Sequence, residues 1–199
     1  MTQMQIAGLV WALAGGAVCL LVLLVLAFVG IYNSLVIARN RCDSAWAQID
    51  VQLRRRYDLI PNLVETVKGY AAHERETLER VVAARNAGIA ARTVEEQAQA
   101  ENMITAALRQ LFALSERYPD LKANQNFQQL QAELQNTEEQ IAQARDFYTD
   151  VAMDYNNRIQ VFPNSIVAGL CHFAPRPYFE IEQPEARRPV EVDFSRERQ

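Results

Sequence analysis

The chain has 199 residues, half of them hydrophobic, and a formal net charge of −4 at pH 7. This length leaves room for one domain and an anchor rather than two full domains, and the lack of a basic excess argues against nucleic acid as a partner. The three cysteines (Cys19, Cys42 and Cys171) do not make a disulfide framework, and we interpret them as free thiols.

The N-terminal part is uncharged as far as Arg39, and residues 6–31 are almost continuously apolar. A bilayer core of about 30 Å needs about 20 apolar residues in a helix. We therefore predict a short N-terminal segment (1–5), a transmembrane helix (6–31) and the lipid bilayer as a partner. A cleaved signal peptide is the alternative, but it calls for basic residues before a shorter apolar stretch.

Two patterns concern this helix and its surroundings. The arginines that follow it, with none before it, place the large domain in the cytoplasm and the N-terminus outside by the positive-inside rule: Arg39, Arg41, Arg54, Arg55 and Arg56. Gly8, Ala12 and Gly16 form a small-residue stripe that allows another helix to approach closely. The stripe predicts self-association, although glycine and alanine are common in membrane helices in any case.

Residues 32–162 have helical periodicity, and the first helix is expected to continue directly from the membrane helix. Asp58 and Pro61 are typical of the first turn of a second helix, and Asn86-Ala87-Gly88 is expected to end it. Thr93 with Glu96 predicts a capping box at the start of a third helix.

The fourth helix has the strongest pattern, with packing residues at alternating spacings of three and four: Phe127, Leu130, Leu134, Thr137, Ile141, Ala144, Tyr148, Val151, Tyr155, Arg158 and Phe162. Short turns between four helices predict an all-α, up-and-down antiparallel four-helix bundle with coiled-coil-like packing. The tail, residues 163–199, is Pro-rich, which argues against a helix there. Within it, residues 178–181 could form an extended strand, and the remainder is expected to be flexible.

A search for catalytic and metal-binding motifs identifies no site. His73 and His172 lack the partner spacing of di-iron or zinc motifs, and neither a nucleophile elbow nor a phosphate-binding loop is present. Cys171 and His172 are adjacent, but no third partner is visible. The sequence therefore predicts a non-enzyme without metal or cofactor.

Seven polar residues are candidates for a contact surface for another subunit or partner: Arg55, Arg56, Asp58, Asn62, Lys68, His73 and Glu74. The alternative is that they cap helix ends and form surface ion pairs that contribute about 0–1 kcal/mol each.

Several motifs resemble the LemA family of bacterial membrane proteins. They are residues 45–53 (AWAQIDVQL), 55–64 (RRYDLIPNLV), 67–70 (VKGY), 118–124 (YPDLKAN) and the stretch from Tyr155-Asn156 to Phe162-Pro163. Thr149 departs from the Tyr-Asn pair usual in the family. The resemblance implies an N-terminal anchor and a helical bundle but no enzyme chemistry. One relative belongs to the magnetosome membrane machinery, so the resemblance favours a role in membrane organisation.

Three hypotheses follow. The first is a non-enzymatic scaffold that self-associates on the membrane as a homo-oligomer. The second is an adaptor that presents the bundle or the Pro-rich tail to another membrane protein, such as a protease or transporter. The third is an enzyme with an unrecognised site, for which Cys171 and His172 are the pair to test.

Overall fold

The computed structural model describes residues 3–179, with side chains described for residue 11 and for residues 13–179. The helices are α1 (Gln3–Lys68), α2 (Arg75–Ala90), α3 (Val94–Ser115), α4 (Pro119–Ala123), α5 (Gln125–Gln160) and α6 (Asn164–Leu170). Within these residues no strand is present, so the all-helical class with a long apolar N-terminal helix is confirmed. The four-helix arrangement and the Pro-rich tail, most of which lies outside the described residues, stay predictions.

Helix α1 passes through Pro61 without ending, so the predicted start of a second helix at Asp58–Pro61 is wrong. Proline has no N–H, and its ring crowds the carbonyl four residues earlier, which is that of Tyr57. The Tyr57 carbonyl oxygen instead accepts a hydrogen bond from Nε of Arg85 on α2, at 2.7 Å. A tertiary contact thus replaces the missing bond within the helix.

The predicted helix end at Asn86-Ala87-Gly88 is also wrong, because α2 continues to Ala90. Gly88 is buried against Tyr57: a Cβ atom at this glycine would lie 2.6 Å from the tyrosine hydroxyl oxygen. The close approach of two helices therefore explains this glycine, rather than a turn of the chain.

The capping box at the start of α3 is confirmed. The Thr93 hydroxyl accepts a hydrogen bond from the backbone N–H of Glu96, and the Glu96 carboxylate accepts from the backbone N–H groups of Thr93 and Arg92. Three backbone N–H groups at the start of the helix are thereby satisfied, which fixes where α3 begins.

Every second position of the predicted seam is buried along α5: Phe127, Leu134, Ile141, Tyr148 and Tyr155. The intervening positions of the predicted seam are less uniform, since Leu130, Ala144 and Val151 are half-buried and Phe162 is exposed. Asn124 caps the start of the helix, because its Oδ1 accepts a hydrogen bond from the backbone N–H of Phe127 at 3.0 Å.

A short helix, α6, follows Pro163, so the expectation of a tail without helix is wrong for residues 164–170. Proline is absent between Pro163 and Pro175, and the buried side chains of Val167 and Ala168 give this stretch an apolar face to pack. Beyond α6, residues 173–179 form neither helix nor strand. The predicted strand at 178–181 has no pairing partner in its described half, and Glu180 and Ile181 lie outside the described residues.

The chain divides into two compact units: a first unit, Met1–Leu53 with Glu139–Tyr178, and a second unit, Arg54–Glu138 with Phe179–Gln199. Helices α1 and α5 contribute residues to both. The first unit has a core in which α6 packs on α1 and α5, formed by Leu35, Ala38, Cys42, Tyr155, Ile159, Val167 and Ala168. In the second unit α2 packs on α3.

Candidate functional site

A network of buried polar side chains lies inside the second unit, between α1 and α3. The Tyr57 hydroxyl donates to Oε1 of Glu101 at 2.5 Å and accepts a hydrogen bond from Nε2 of Gln97 at 2.6 Å. Nη1 of Arg56 donates to Oε2 of the same carboxylate at 2.9 Å. Because Arg56 and Glu101 are only 2% and 1% exposed, both oxygens of the carboxylate are bound away from water.

The network reaches the surface on the side of α5. Nη1 of Arg56 lies 2.6 Å from Oε2 of Glu138, and its Nη2 donates to the Thr105 hydroxyl at 3.0 Å. The Glu138 side chain is 40% exposed. A cleft of about 530 Å³ opens there, lined by Arg56, Thr105, Leu108, Arg109, Phe112, Gln131, Leu134, Gln135 and Glu138.

The electrostatics of this network favour structure over catalysis. Burial, together with the adjacent Glu101 carboxylate, raises the pKa of Tyr57 far above its usual value, so the phenol stays protonated as a donor. The Arg56 guanidinium is permanently charged and lies between two carboxylates. The interactions available are hydrogen bonding and ion pairing, which hold α1 against α3 in one register.

Of this network, Arg56 is predicted from the sequence as a contact residue, whereas Tyr57, Gln97 and Glu101 are not. A signal was present: Gln97 and Glu101 continue the apolar stripe of α3 toward its N-terminus, at the spacing set by Ile104, Leu108 and Leu111. Polar residues at core-facing helical positions predict buried partners, because unpaired polar groups are costly in an interior.

The predicted contact residues belong to the second unit and divide by exposure. Arg56 is buried, whereas Arg55, Asp58, Asn62, Lys68 and His73 are exposed. Glu74 is half-buried, and its Oε1 accepts hydrogen bonds from the Tyr118 hydroxyl at 3.1 Å and from Nη2 of Arg117 at 3.3 Å. Arg56 is therefore not available to a partner, and a binding role for the others stays a prediction.

An open groove runs between α1 and α5 on the surface of the first unit. It consists of two adjoining depressions of about 500 and 520 Å³. Three large apolar side chains stand exposed along it, Ile37 at 56%, Val51 at 62% and Phe147 at 50%. Its other lining residues are Asn40, Arg41, Ser44, Ala45, Ala47, Gln48, Gln52, Gln140, Gln143, Ala144 and Val151.

Elsewhere on the first unit, α6 and the segment after it pack onto α1 and α5. Asn156 binds the backbone of Arg176 twice, as donor and as acceptor, at 2.9 and 2.8 Å. The hydroxyls of Tyr155 and Tyr148 donate to the carbonyl oxygens of Ala174 and Pro177. The segment is thus bound to the unit through its backbone, and among the described residues none covers the open groove.

Cys42 is buried, whereas Cys171 is half-buried and lies just after α6. Burial raises the pKa of the Cys42 thiol, which donates to the carbonyl oxygen of Val151 at 3.6 Å. His172 has a φ angle of 57° at the end of α6, beside a half-buried Cys171. No group of three His, Cys, Asp or Glu side chains that could hold a metal ion occurs between residues 13 and 179.

The N-terminal part of α1 is long and apolar enough to cross a membrane. Its most apolar stretch is not buried by the other described residues. Gly16, the described member of the predicted small-residue stripe, has nothing within 4 Å of where a Cβ atom would be. The side chains of positions 8 and 12 lie outside the described residues.

These features define a class: an all-helical protein whose first helix holds a candidate membrane span. The profile of the LemA family matches residues 45–194, and the chain belongs to the LemA family. It is 27% identical to Protein LemA of Metamycoplasma hominis, over 84% of this chain and 76% of that protein. It is also 25% identical to the magnetosome proteins MamQ 1 and MamQ 2 of Paramagnetospirillum magneticum, over 80% of this chain and 68% of each relative.

Proposed function

We propose that this protein is a non-enzymatic helical scaffold, anchored in the membrane by the N-terminal part of α1, that self-associates and organises the membrane around it. The observation that carries the proposal is that one helix supplies both the candidate span and a wall of the first unit. A continuous helix transmits position and rotation from the bilayer to the unit, whereas a flexible linker would not.

The relatives support the membrane role. Two of them are named magnetosome proteins, and the family resemblance implies membrane organisation. The arginines after the span (Arg39, Arg41 and Arg54 among them) support a cytoplasmic location for the helical units.

The mass of the full-length protein in native membrane particles tests the proposal, beside a chain that starts at Asn33. We expect a homogeneous assembly of several copies that falls to a monomer without the span, because tethering in one bilayer raises the effective concentration of copies. Monomers in both preparations would contradict self-association.

An adaptor for another membrane protein is the second candidate. A depression of about 620 Å³ on the second unit favours it, lined by apolar residues such as Val82 and by both cationic and acidic side chains, including Lys68, Arg75 and Glu79. A polar rim around an apolar centre is typical of protein–protein interfaces. A specific protein that co-purifies with a monomeric full-length chain, and is lost on Val82→Asp substitution, would favour the adaptor.

A further inference from the structure

The two walls of the open groove follow coiled-coil spacing. On α1 the positions are separated alternately by four and three residues: Ile37, Arg41, Ser44, Gln48 and Val51. On α5 the spacing is the same: Gln140, Ala144, Phe147 and Val151. Two such stripes side by side form a seam into which the side chains of another helix can pack, and here the described chain leaves that seam open.

The α1 stripe extends back into the candidate span without changing its spacing. Steps of three and four residues from Ile37 lead to Ser34, Gly30, Ala27, Leu23, Leu20 and Gly16. Four of these six residues are small, and at Gly16 and Gly30 a Cβ atom would have no neighbour within 4 Å. Because small residues let helices approach closely in a bilayer, one face of α1 is open to another helix both within and beyond the span.

The apolar area of the groove limits what can occupy it. Three large side chains, each about half exposed, offer on the order of 300 Å² of apolar surface, estimated from about 150–250 Å² for a whole aromatic side chain. Stable complexes of proteins that diffuse freely bury about 800 Å² per partner, of which about 450 Å² is non-polar. The occupant must therefore be held close by something other than the groove, and a shared bilayer does this.

The occupant must also be a helix that crosses the bilayer beside α1 and continues as far as Val51. From Gly30 to Val51 that is about 30 Å of helix at about 1.5 Å per residue. Helix α1 of a second copy meets both conditions, since it holds the candidate span and continues to Lys68. Copies in one bilayer share the same orientation, so equivalent residues lie at the same height.

The charge pattern of the groove also suits a second copy. Among its lining residues, all of them described, Arg41 is the one charged side chain, and five are amides: Asn40, Gln48, Gln52, Gln140 and Gln143. An amide both donates and accepts hydrogen bonds, so it can pair with its own equivalent, whereas a row of like charges would repel its copy. The Arg41 side chain is long enough to carry its charge out of the seam.

We propose that two copies of this chain pair through the open groove, parallel and in register, with the α1 stripe of one copy against that of the other. This inference rests on the proposed self-association and assigns it to one surface. The pair has two-fold symmetry about an axis along the bilayer normal, because both copies carry the same face at the same height.

Photo-crosslinking in native membranes tests the pairing in the full-length protein. A benzophenone amino acid replaces Val51 in one sample and Met153 in the control. Met153 is on α5 of the same unit, 48% exposed, and absent from the groove. We expect a homodimer adduct at position 51 that maps to α1 of the second copy, at least about ten times stronger than at position 153. An adduct with a different protein, or equal yields at both positions, would overturn the proposal.

Charge insertion provides the second measurement. Phe147→Asp and Val51→Asp each place a short charged side chain, which cannot reach out of the seam as Arg41 does, at an exposed position of the groove, and Met153→Asp is the matched control. Here the benzophenone amino acid replaces Ile37, another exposed residue of the groove. We expect the two groove variants to lower the homodimer adduct about tenfold and the control to leave it unchanged. Circular dichroism should be unaltered in all three variants. If multi-copy particles persist while no groove adduct forms, the pairing surface is wrong and the scaffold stands. If all particles are monomeric, both the groove pairing and the proposed self-association are contradicted.

Discussion

Tyr57 shows how a single residue joins three helices of the second unit. Its carbonyl oxygen accepts the bond from Arg85 on α2, its hydroxyl binds Glu101 and Gln97 on α3, and its ring packs on Gly88. Each of these contacts satisfies a polar group or fills a space that α1 alone leaves open. Changes around this residue should therefore alter the stability of the whole second unit rather than that of one helix.

Replacement of Arg85 by methionine removes the donor to the Tyr57 carbonyl. We expect the second unit to lose about 1–3 kcal/mol, since a partly buried acceptor is left without a partner. Pro61→Ala supplies a backbone N–H to the same oxygen, so Arg85→Met should cost less in that background. Hydrogen exchange of the full-length protein in nanodiscs measures the stability of the second unit in wild type, in each single variant and in the double variant. The substitution of the exposed Arg80 by methionine is the control. Equal losses in both backgrounds would show that Arg85 does not compensate for Pro61.

Replacement of Gly88 by alanine should also destabilise the second unit, by about 1–3 kcal/mol, because the new Cβ atom overlaps the Tyr57 hydroxyl that is bound to Glu101 and Gln97. Gly69→Ala is the matched control, since the nearest atom to its added Cβ is at an ordinary 3.5 Å. Thermal unfolding followed by hydrogen exchange compares the two variants. Equal stability of both would contradict the close packing of α1 on α2.

At the scale of elements, helix ends in this chain are set by the groups that satisfy their backbone. Helix α3 begins at a local capping box, and α5 begins at the Asn124 side chain. By contrast, Pro61 and Gly88 resemble helix boundaries but lie inside α1 and α2. Local side-chain caps therefore mark true ends, whereas helix breakers mark ends only where no tertiary contact compensates for them.

The capping box makes the start of α3 sensitive to acid. Hydrogen bonds from the backbone N–H groups of Arg92 and Thr93 hold the pKa of Glu96 below its usual value. A carboxylate with a lowered pKa stabilises the fold above its ordinary pKa, and this contribution is lost as the pH falls through the lowered value. We expect Glu96→Gln to weaken amide protection in the first turn of α3 at neutral pH, and the difference from wild type to vanish in that acid window.

The control is Glu95→Gln, which removes a charge from the same turn, but from a carboxylate that accepts no capping hydrogen bond. Thr93→Ala should destabilise the helix by about 1 kcal/mol, because it removes the other half of the box. Equal pH profiles for the Glu96→Gln and Glu95→Gln variants would show that the charge, rather than the cap, is responsible.

For the whole molecule, the segment after α6 completes the first unit. A chain that ends at Ala174 lacks the backbone partner of the buried Asn156, and loses the Arg176–Asp43 ion pair of 2.6 Å. We expect weaker protection of α6 and of the end of α5 from amide hydrogen exchange. The unsatisfied Asn156 amide should lower the free energy of unfolding of the first unit by about 1–3 kcal/mol. A chain that ends at Phe179 keeps these contacts and should match the full-length protein.

Hydrogen exchange of both truncated chains in nanodiscs distinguishes these outcomes, and equal protection would show that the segment does not stabilise the unit. The comparison also decides how an adaptor role for the tail is tested. A deletion that begins at Pro175 removes structural contacts together with the tail, whereas one that begins after Phe179 removes only residues beyond the described fold.

The local sequence determined the helical class, the apolar span, the capping box and the heptad of α5, because each depends on residues within one or two turns of each other. Tertiary structure decided the rest. Pro61 became an interior residue because Arg85 supplies a donor, and Gly88 became a packing site because Tyr57 fills the space beside it. The buried Arg56–Glu101 pair joins residues 45 positions apart in the chain. Such partners meet only when helices pack, so the spacing along one helix cannot identify them.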